Sequence, residues 1–132
     1  MAISSKTTVL AAIVAALAVA LVAGVEVATP HTAKYDSRVR ITGYIDNQSF
    51  LGRVGSERKA CKRKRLVTVW KRNPGAMDGP VGTARSNRKG IWAISAPSAP
   101  SGRYYATVKR RVIGGAGHRH VCKRDRSKRF RL

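Results

Sequence analysis

The sequence predicts an all-β protein: an antiparallel β-sandwich of about seven short strands that follows an N-terminal hydrophobic targeting helix. Three observations predict this fold class. Apolar or alternating segments recur roughly every ten residues, clusters of Gly, Pro, Asn and Asp separate them, and no window after residue 28 has a convincing helical period. Strands joined by such short turns pair in antiparallel fashion and bury one face against a second sheet.

The targeting helix is predicted from residues 1–28. Lys6 and the free amine precede an uncharged run from Thr7 to Val25, which is mostly Ala, Val, Leu and Ile. Such a run is typical of a cleaved secretion signal, but it is also nearly long enough to span a bilayer as an uncleaved anchor. The sequence therefore predicts a secreted protein, with a linker at 29–37 and a domain at 38–132. The alternative is a protein anchored by about residues 7–27 with its domain outside.

The first strand of the predicted domain runs from Arg38 to Ile45, because its residues alternate strictly between apolar and polar. Val39, Ile41 and Ile45 are expected to share the core face. A weaker pattern predicts a strand over 49–54, and the segment Val67-Thr68-Val69-Trp70 predicts a strong one over 65–72. Asn73-Pro74-Gly75 then turns the chain toward a short strand over 80–85.

The second half of the domain shows the same alternation of short strands and turns. A hairpin turn at Asn87–Gly90 is expected to join two paired strands and to lead into Ile91–Ser95, which puts Trp92 and Ile94 in the core together with Val67 and Val69. After a Pro-rich break, the longest strand is predicted over 103–113. Gly114–Gly117 then turns the chain into His118–Cys122, and a last strand over 128–132 places Phe130 and Leu132 on one face.

Cys61 and Cys122 are the two cysteines of the chain. In a small exported domain two cysteines most often form a disulfide, which here would close a loop of about 60 residues and stabilise the fold by roughly 4 kcal/mol. The alternative is a metal site, because His118, His120 and Cys122 would share one face of a strand. Lys and Arg flank both cysteines and would repel a cation, so the disulfide is the favoured prediction and no metal is expected.

The most specific pattern runs from Gly82-Thr83 through Gly90-x-Trp92 to Gly102-x-Tyr104-Tyr105-Ala106. With Phe50-x-Gly52-x-Val54 and the two cysteines, it resembles small secreted bacterial proteins that carry a transthyretin-like or carboxypeptidase-regulatory-like β-sandwich. The resemblance covers residues 39–132 and implies an accessory module without catalysis. The hydroxyisourate hydrolases of this fold end in Tyr-Arg-Gly-Ser, whereas this chain ends in Phe130-Arg131-Leu132, so that activity is not implied.

No enzyme motif stands out. A Ser-His-Asp triad needs a carboxylate that orients the histidine, and the few carboxylates lie in no such motif. Gly114–Gly117 lacks the lysine and the helix of a phosphate-binding loop. We therefore expect no catalysis and no cofactor. An enzyme of the transthyretin-like fold is the weaker alternative.

Four aromatic residues, Trp70, Trp92, Tyr104 and Tyr105, have the chemistry of a stacking platform for sugars or bases. Their positions on predicted strands favour the core instead. Because Tyr104 and Tyr105 are adjacent, they must point to opposite faces of their strand.

Positive charge is the strongest feature of the sequence, with 27 Lys and Arg against 6 Asp and Glu and a net charge of +21. Two dense basic runs, Arg58–Arg65 and Arg119–Arg131, would be joined at their centres by a disulfide between Cys61 and Cys122. Like charges at such distances repel one another even in water, and a polyanion would relieve that repulsion. The predicted polyanion-binding residues are Arg58, Lys59, Lys62, Arg63, Lys64, Arg65, Arg119, Lys123, Arg124, Arg126, Lys128 and Arg129.

The charge predicts a non-catalytic, cationic binding or structural module, secreted or associated with the cell envelope, for anionic polymers or surfaces such as wall polymers and lipid head groups. The alternative is sequence-nonspecific binding of extracellular nucleic acid. Since no recognition helix and no RNA- or DNA-binding motif is present, such binding would depend on backbone phosphates. A competing explanation is that the charge only keeps an exported domain soluble.

Overall fold

The computed structural model describes residues 31–132 together with Gly24. The predicted targeting helix, residues 1–28, lies outside the described residues except for that glycine. The described chain is all-β, as predicted: its strands are interrupted by a single 3₁₀ turn at Lys59–Cys61. Within this part of the chain no helix is long and apolar enough to cross a membrane.

The described strands are short: β1 His31–Tyr35, β2 Arg38–Ile45, β3 Ser49–Gly55, β4 Leu66–Lys71, β5 Gly79–Arg85, β6 Ile91–Ser95, β7 Arg103–Val108, β8 Arg111–Ile113, β9 His118–Cys122, β10 Asp125–Arg126 and β11 Phe130–Arg131. They form three sheets, ordered β1-β9-β8, β2-β3-β6 and β10-β7-β4-β5, with β11 also paired to β7. Every pairing is antiparallel except that of β1 with β9, which is parallel.

One hydrophobic core is shared by the β2-β3-β6 sheet and the β10-β7-β4-β5 sheet. Alternate residues of its main strands, such as Val67 and Val69 of β4, point into it, because successive side chains of a strand lie on opposite faces. The ring of Phe50 lies 4.8 Å from those of Tyr44 and Tyr104, measured between centroids. The predicted core residues Val67, Val69, Trp92 and Ile94 are all buried, which confirms that prediction. The other buried members are Val39, Phe50, Val54, Ala96, Tyr104, Ala106 and Val108.

β2 has its predicted bounds, but the side chain of Ile45 faces away from the core. The register against β3 shifts between Ile41 and Gly43, so Thr42 is an extra residue in a β-bulge. The bulge reverses the alternation after it, which places Tyr44 against Phe50 and leaves Ile45 46% exposed. The prediction that Ile45 shares the core face of Val39 and Ile41 was therefore wrong.

The turn at Asn87–Gly90 forms, but it does not join paired strands. The Asn87 side-chain oxygen accepts hydrogen bonds from the Lys89 and Ile91 N–H groups, and Gly90 adopts φ +80°. The strand before the turn pairs with β4, whereas the strand after it pairs with β3. The hairpin prediction was wrong because local turn chemistry reverses the chain without choosing its partner strand, and here the turn carries the chain from one sheet to another.

The long strand predicted over 103–113 is broken at Lys109 and Arg110. β7 ends at Val108 in the sheet with β4, and β8 starts at Arg111 in the sheet with β9. The break is held by two contacts at Lys109: its N–H donates to the Leu66 carbonyl, and its carbonyl accepts from the Arg65 guanidinium. An alternating pattern cannot reveal such a change of sheet.

The predicted linker at 29–37 contains a strand. β1 pairs with β9 from His31 opposite His118 to Tyr35 opposite Cys122. Only Ala33, Lys34 and Tyr35 alternate in polarity, a run too short to predict a strand without its partner β9. Together with the two- and three-residue strands β8, β10 and β11, β1 raises the number of strands in the described chain above the seven or so that were predicted.

Candidate polyanion-binding surface

A disulfide joins the two basic runs. Cys61 and Cys122 are bonded, with their Cα atoms 5.4 Å apart, and both side chains are fully buried. The bond links the 3₁₀ turn of the first run to the end of β9, where the second run continues. The predicted pairing is confirmed, and both sulfur atoms are thereby removed as metal ligands.

His118 and His120 share one face of β9, as predicted, and their rings stack with centroids 6.3 Å apart. His31 lies opposite on β1, with its ring 5.9 Å from that of His118. Burial, followed by the positive charge of Arg58, lowers the pKa of His120. Among the described residues no group of three or more His, Cys, Asp or Glu side chains could hold a metal ion.

Arg65 belongs to the interior. Its side chain is fully buried, and one guanidinium nitrogen, Nη1, donates to the Ser37 hydroxyl at 2.9 Å and to the Cys61 carbonyl at 2.7 Å. The other, Nη2, donates to the carbonyls of Lys109 at 2.8 Å and Lys123 at 3.0 Å. The guanidinium thus ties together three chain segments that are distant in sequence.

This burial corrects one predicted binding residue, because Arg65 cannot contact a polyanion. Burial, and then the charge of Arg111, lowers the pKa of Arg65, but a guanidinium keeps its proton throughout the range in which proteins are studied. Arg65 is therefore a structural cation beneath the surface formed by its neighbours.

Ser86 holds the end of the first basic run in place. Its hydroxyl donates to the Lys62 carbonyl at 2.5 Å and accepts from the Arg65 N–H at 3.0 Å. Its carbonyl accepts from the Lys64 N–H at 2.8 Å, and Lys64 itself adopts a left-handed backbone with φ +53°. This tight turn buries Arg65 while the side chains of Arg63 and Lys64 stay exposed.

The first basic cavity, about 460 Å³, is lined by Arg63, Lys64, Arg88 and Arg111 together with Ser86 and Asn87. The Arg111 guanidinium donates a hydrogen bond to the Arg63 carbonyl at 2.7 Å. This bond fixes the side of the cavity that β8 forms. No carboxylate lines it. Arg88 and Arg111 were absent from the predicted set, although the sequence signals both: Arg88 is followed by Lys89 at a turn, and Arg111 ends the basic run Lys109-Arg110-Arg111 at a strand break.

The second basic cavity, about 490 Å³, lies where β7 ends and β10 begins. It is lined by four cations, Lys109, Arg110, Arg124 and Arg126, with Asp125 among them. The Asp125 carboxylate is already engaged, because it accepts the Val39 N–H at 2.8 Å. The Arg126 guanidinium lies over the Tyr105 ring at 3.9 Å, a distance typical of a cation–π contact.

The remaining predicted residues do not join these cavities. Lys128 and Arg129 line a separate groove beside β2, and Arg58 lies over the Tyr35 ring at 5.4 Å. Lys123 forms an exposed ion pair with Asp36 at 3.0 Å. Lys59 and Arg119 are exposed, and Lys62 is half-buried. The predicted single patch is therefore divided among several basic surfaces.

Most of this charge has no internal counter-charge. All but one of the 27 Lys and Arg follow residue 30, yet Lys123 with Asp36 is the only ion pair within the described residues. Solvent-exposed like charges repel one another over roughly 10 Å at moderate salt. The described surface thus carries a large excess of positive charge.

The aromatic residues divide between the core and the opposite sheet face. Trp92 and Tyr104 are core residues, while Tyr105 is buried beneath Arg126 and donates to the Asp78 carboxylate at 2.6 Å. Burial and this bond raise the pKa of Tyr105, and the same hydrogen bond lowers that of Asp78. Trp70 is half-buried and donates to the Thr107 hydroxyl at 2.9 Å. Three of the four rings are therefore unavailable for stacking on a ligand.

Replacing both Cys61 and Cys122 with alanine should lower the free energy of unfolding by about 4 kcal/mol, because a loop of about 60 residues loses its cross-link in the unfolded chain. Denaturant unfolding of the variant and of the unaltered protein, both without reductant, measures the difference. Reductant should destabilise the unaltered protein and leave the variant unchanged. Equal stability of the two proteins would contradict the assigned role of the bridge.

A scan against protein-family models and a search of the curated proteins find no match to this chain. Function is therefore inferred from charge and geometry.

Proposed function

We propose that this chain is a non-catalytic, cationic module of the cell envelope that binds anionic polymers or surfaces. The observation that carries the proposal is the first basic cavity, which is lined by four cations with Ser86 and Asn87 and by no carboxylate. An anionic group placed there would neutralise charges that otherwise repel one another. A neutral ligand would not relieve this repulsion.

The number of basic surfaces favours a polymer over a single small anion. The second basic cavity and the groove beside β2 each carry four further cations on the same small domain. A chain of phosphates or carboxylates can contact several of these surfaces at once, and each neutralised charge releases a counterion. Binding of this kind depends on charge spacing more than on the identity of the monomer.

Export to the envelope is the part of the proposal that rests on the disulfide. Buried disulfides persist in oxidising compartments and are rare in the cytosol, and the N-terminal hydrophobic run has the composition of a secretion signal. The finer fold assignment, a transthyretin-like β-sandwich, is supported by two sheets that share one core and by the sequence pattern around Trp92 and Tyr104. Such a rigid β scaffold would hold the basic side chains apart in fixed positions.

The test compares two triple variants that remove equal charge. One replaces Arg63, Lys64 and Arg88 of the first basic cavity with serine; Arg65 is left intact because it is structural. The matched control replaces Lys71, Arg103 and Arg131, which line another cavity. This cavity lies where β4 ends, whereas Arg65 precedes the first residue of β4. Affinity for polyphosphate, for duplex DNA and for anionic vesicles is measured by titration at moderate salt.

The cavity variant should lose about 10- to 100-fold in affinity for each of the polyanions, because up to three charge contacts disappear. The control should lose much less. Absence of measurable binding by the unaltered protein would contradict polyanion binding and leave the charge as a solubility device. Unchanged affinity in both variants would contradict the role of the first basic cavity. An equal loss in both would contradict the assignment to the first basic cavity. A loss confined to DNA would favour the nucleic-acid alternative.

A further inference from the structure

Among the strands of residues 31–132, β2 is an edge strand that pairs only with β3. Part of its main chain therefore has no partner within this range. The Val39 N–H donates to the Asp125 carboxylate, so the polar main-chain groups of Val39 point away from β3. In an antiparallel ladder this direction repeats every second residue, and the register is regular up to Ile41. The Ile41 N–H therefore also points outward, and among the described residues it donates no hydrogen bond outside the β-ladders.

This open edge lies along a groove of about 750 Å³ between β2 and the segment that leads into β11. Val39, Ile41 and Phe130 supply apolar surface to the groove, and the latter two pack partly against the core. Four cations, Arg38, Arg40, Lys128 and Arg129, also line it, while Asp36 and Glu57 are the acidic lining residues. Apolar surface, cations and an unpaired main-chain donor thus occur together.

We propose that this edge binds an extended, acidic segment of another protein as an added β-strand. Strand addition uses main-chain hydrogen bonds for affinity and neighbouring side chains for specificity. The cations of the groove select acidic side chains on the added strand. Asp125 already shows, within this molecule, that a carboxylate can accept a hydrogen bond from this edge.

A second copy of the chain fits the same edge poorly. Two β2 edges placed together would bring Arg38 and Arg40 of each copy close to those of the other, and like charges on neighbouring strands are destabilising. Basic side chains on an edge strand commonly prevent such self-association. The charge therefore favours a partner of opposite sign.

This interaction differs from polyanion binding in requiring peptide N–H and C=O groups on the ligand. The probe is a capped peptide of about eight residues that alternates valine and glutamate. Its control carries the same sequence with N-methyl groups on alternate amides, which retains every charge but removes the donors of the ladder. Fluorescence anisotropy with the purified protein gives the two affinities.

We expect the N-methylated peptide to bind at least about tenfold more weakly, a difference typical of losing one or two well-made hydrogen bonds. Amide exchange should slow at Ile41 when the unmodified peptide is added. Exchange at Arg40, which lies opposite Arg53 in the β2–β3 ladder, should not change. Equal affinities of the two peptides, or binding without protection at Ile41, would overturn the proposal while leaving polyanion binding intact.

A pair of variants tests the donor on the protein. Ile41→Pro removes the outward N–H at an edge position, where proline is tolerated, and Ile41→Ala removes the side chain but retains the N–H. The proline variant should bind the peptide about tenfold more weakly than the alanine variant. Equal binding by two folded variants would contradict strand addition. If Ile41→Pro does not fold, the comparison of the two peptides on the unaltered protein decides the question.

Discussion

Replacing Arg65 with methionine should lower the free energy of unfolding by about 3–5 kcal/mol. The substitution removes every hydrogen bond of the guanidinium and leaves the carbonyls of Cys61, Lys109 and Lys123 without this partner in the interior. Relief of the repulsion from Arg111 offsets part of the loss. Chemical denaturation followed by tryptophan fluorescence measures the change.

Two further variants separate charge from hydrogen bonding. Arg65→Lys retains the positive charge, but its single nitrogen cannot serve acceptors on three segments, so we expect a loss close to that of Arg65→Met. Arg63→Met, two residues away and exposed, should change stability by less than about 0.5 kcal/mol. Full stability of Arg65→Met would show that this guanidinium does not hold the segments together.

Replacing Trp92 with alanine should also cost about 3–5 kcal/mol, because it empties a large volume at the centre of the core. Trp92 is 1% exposed, and its ring packs over Gly52 on the neighbouring strand β3, where any larger residue would overlap it. The indole N–H donates to no described residue, so no hydrogen bond within the described chain is lost with it. The cost is therefore one of packing.

Trp70→Ala is the matched control for Trp92→Ala. Trp70 has the same side chain, but it is half-buried outside the core cluster, and its indole N–H donates a hydrogen bond to the Thr107 hydroxyl. Its removal should cost clearly less, as measured by thermal and denaturant unfolding. A larger loss for Trp70 than for Trp92 would contradict the assignment of the core.

The sequence predicted the strands in which burial of one face in the core requires a regular pattern of apolar residues. β2, β3 and β6 were located to within a residue or so, because alternating or apolar residues bury one face. β8, β10 and β11 were missed, or merged into longer segments, because two or three residues carry no period. The β-bulge at Thr42 could not be foreseen either, since its effect on Ile45 depends on the register against β3.

The sequence predicted the basic residues and the disulfide of the candidate site, but not how these residues are arranged in space. The cysteine pairing follows from parity and compartment, and it is correct. Within Lys62-Arg63-Lys64-Arg65, however, nothing in the sequence distinguishes the arginine that is buried, since three of its four side-chain acceptors come from distant segments. Arg88 and Arg111 reach the first basic cavity only because a turn between sheets and a strand break bring them there.

The proposed polyanion binding is tested by its dependence on salt concentration. If about six basic side chains neutralise phosphates, the logarithm of the association constant for polyphosphate or duplex DNA should fall with the logarithm of salt concentration at a slope near −5. The variant lacking Arg63, Lys64 and Arg88 should give a slope flatter by roughly 2–3. A slope near zero for the unaltered protein, or an unchanged slope in the variant, would contradict the claim.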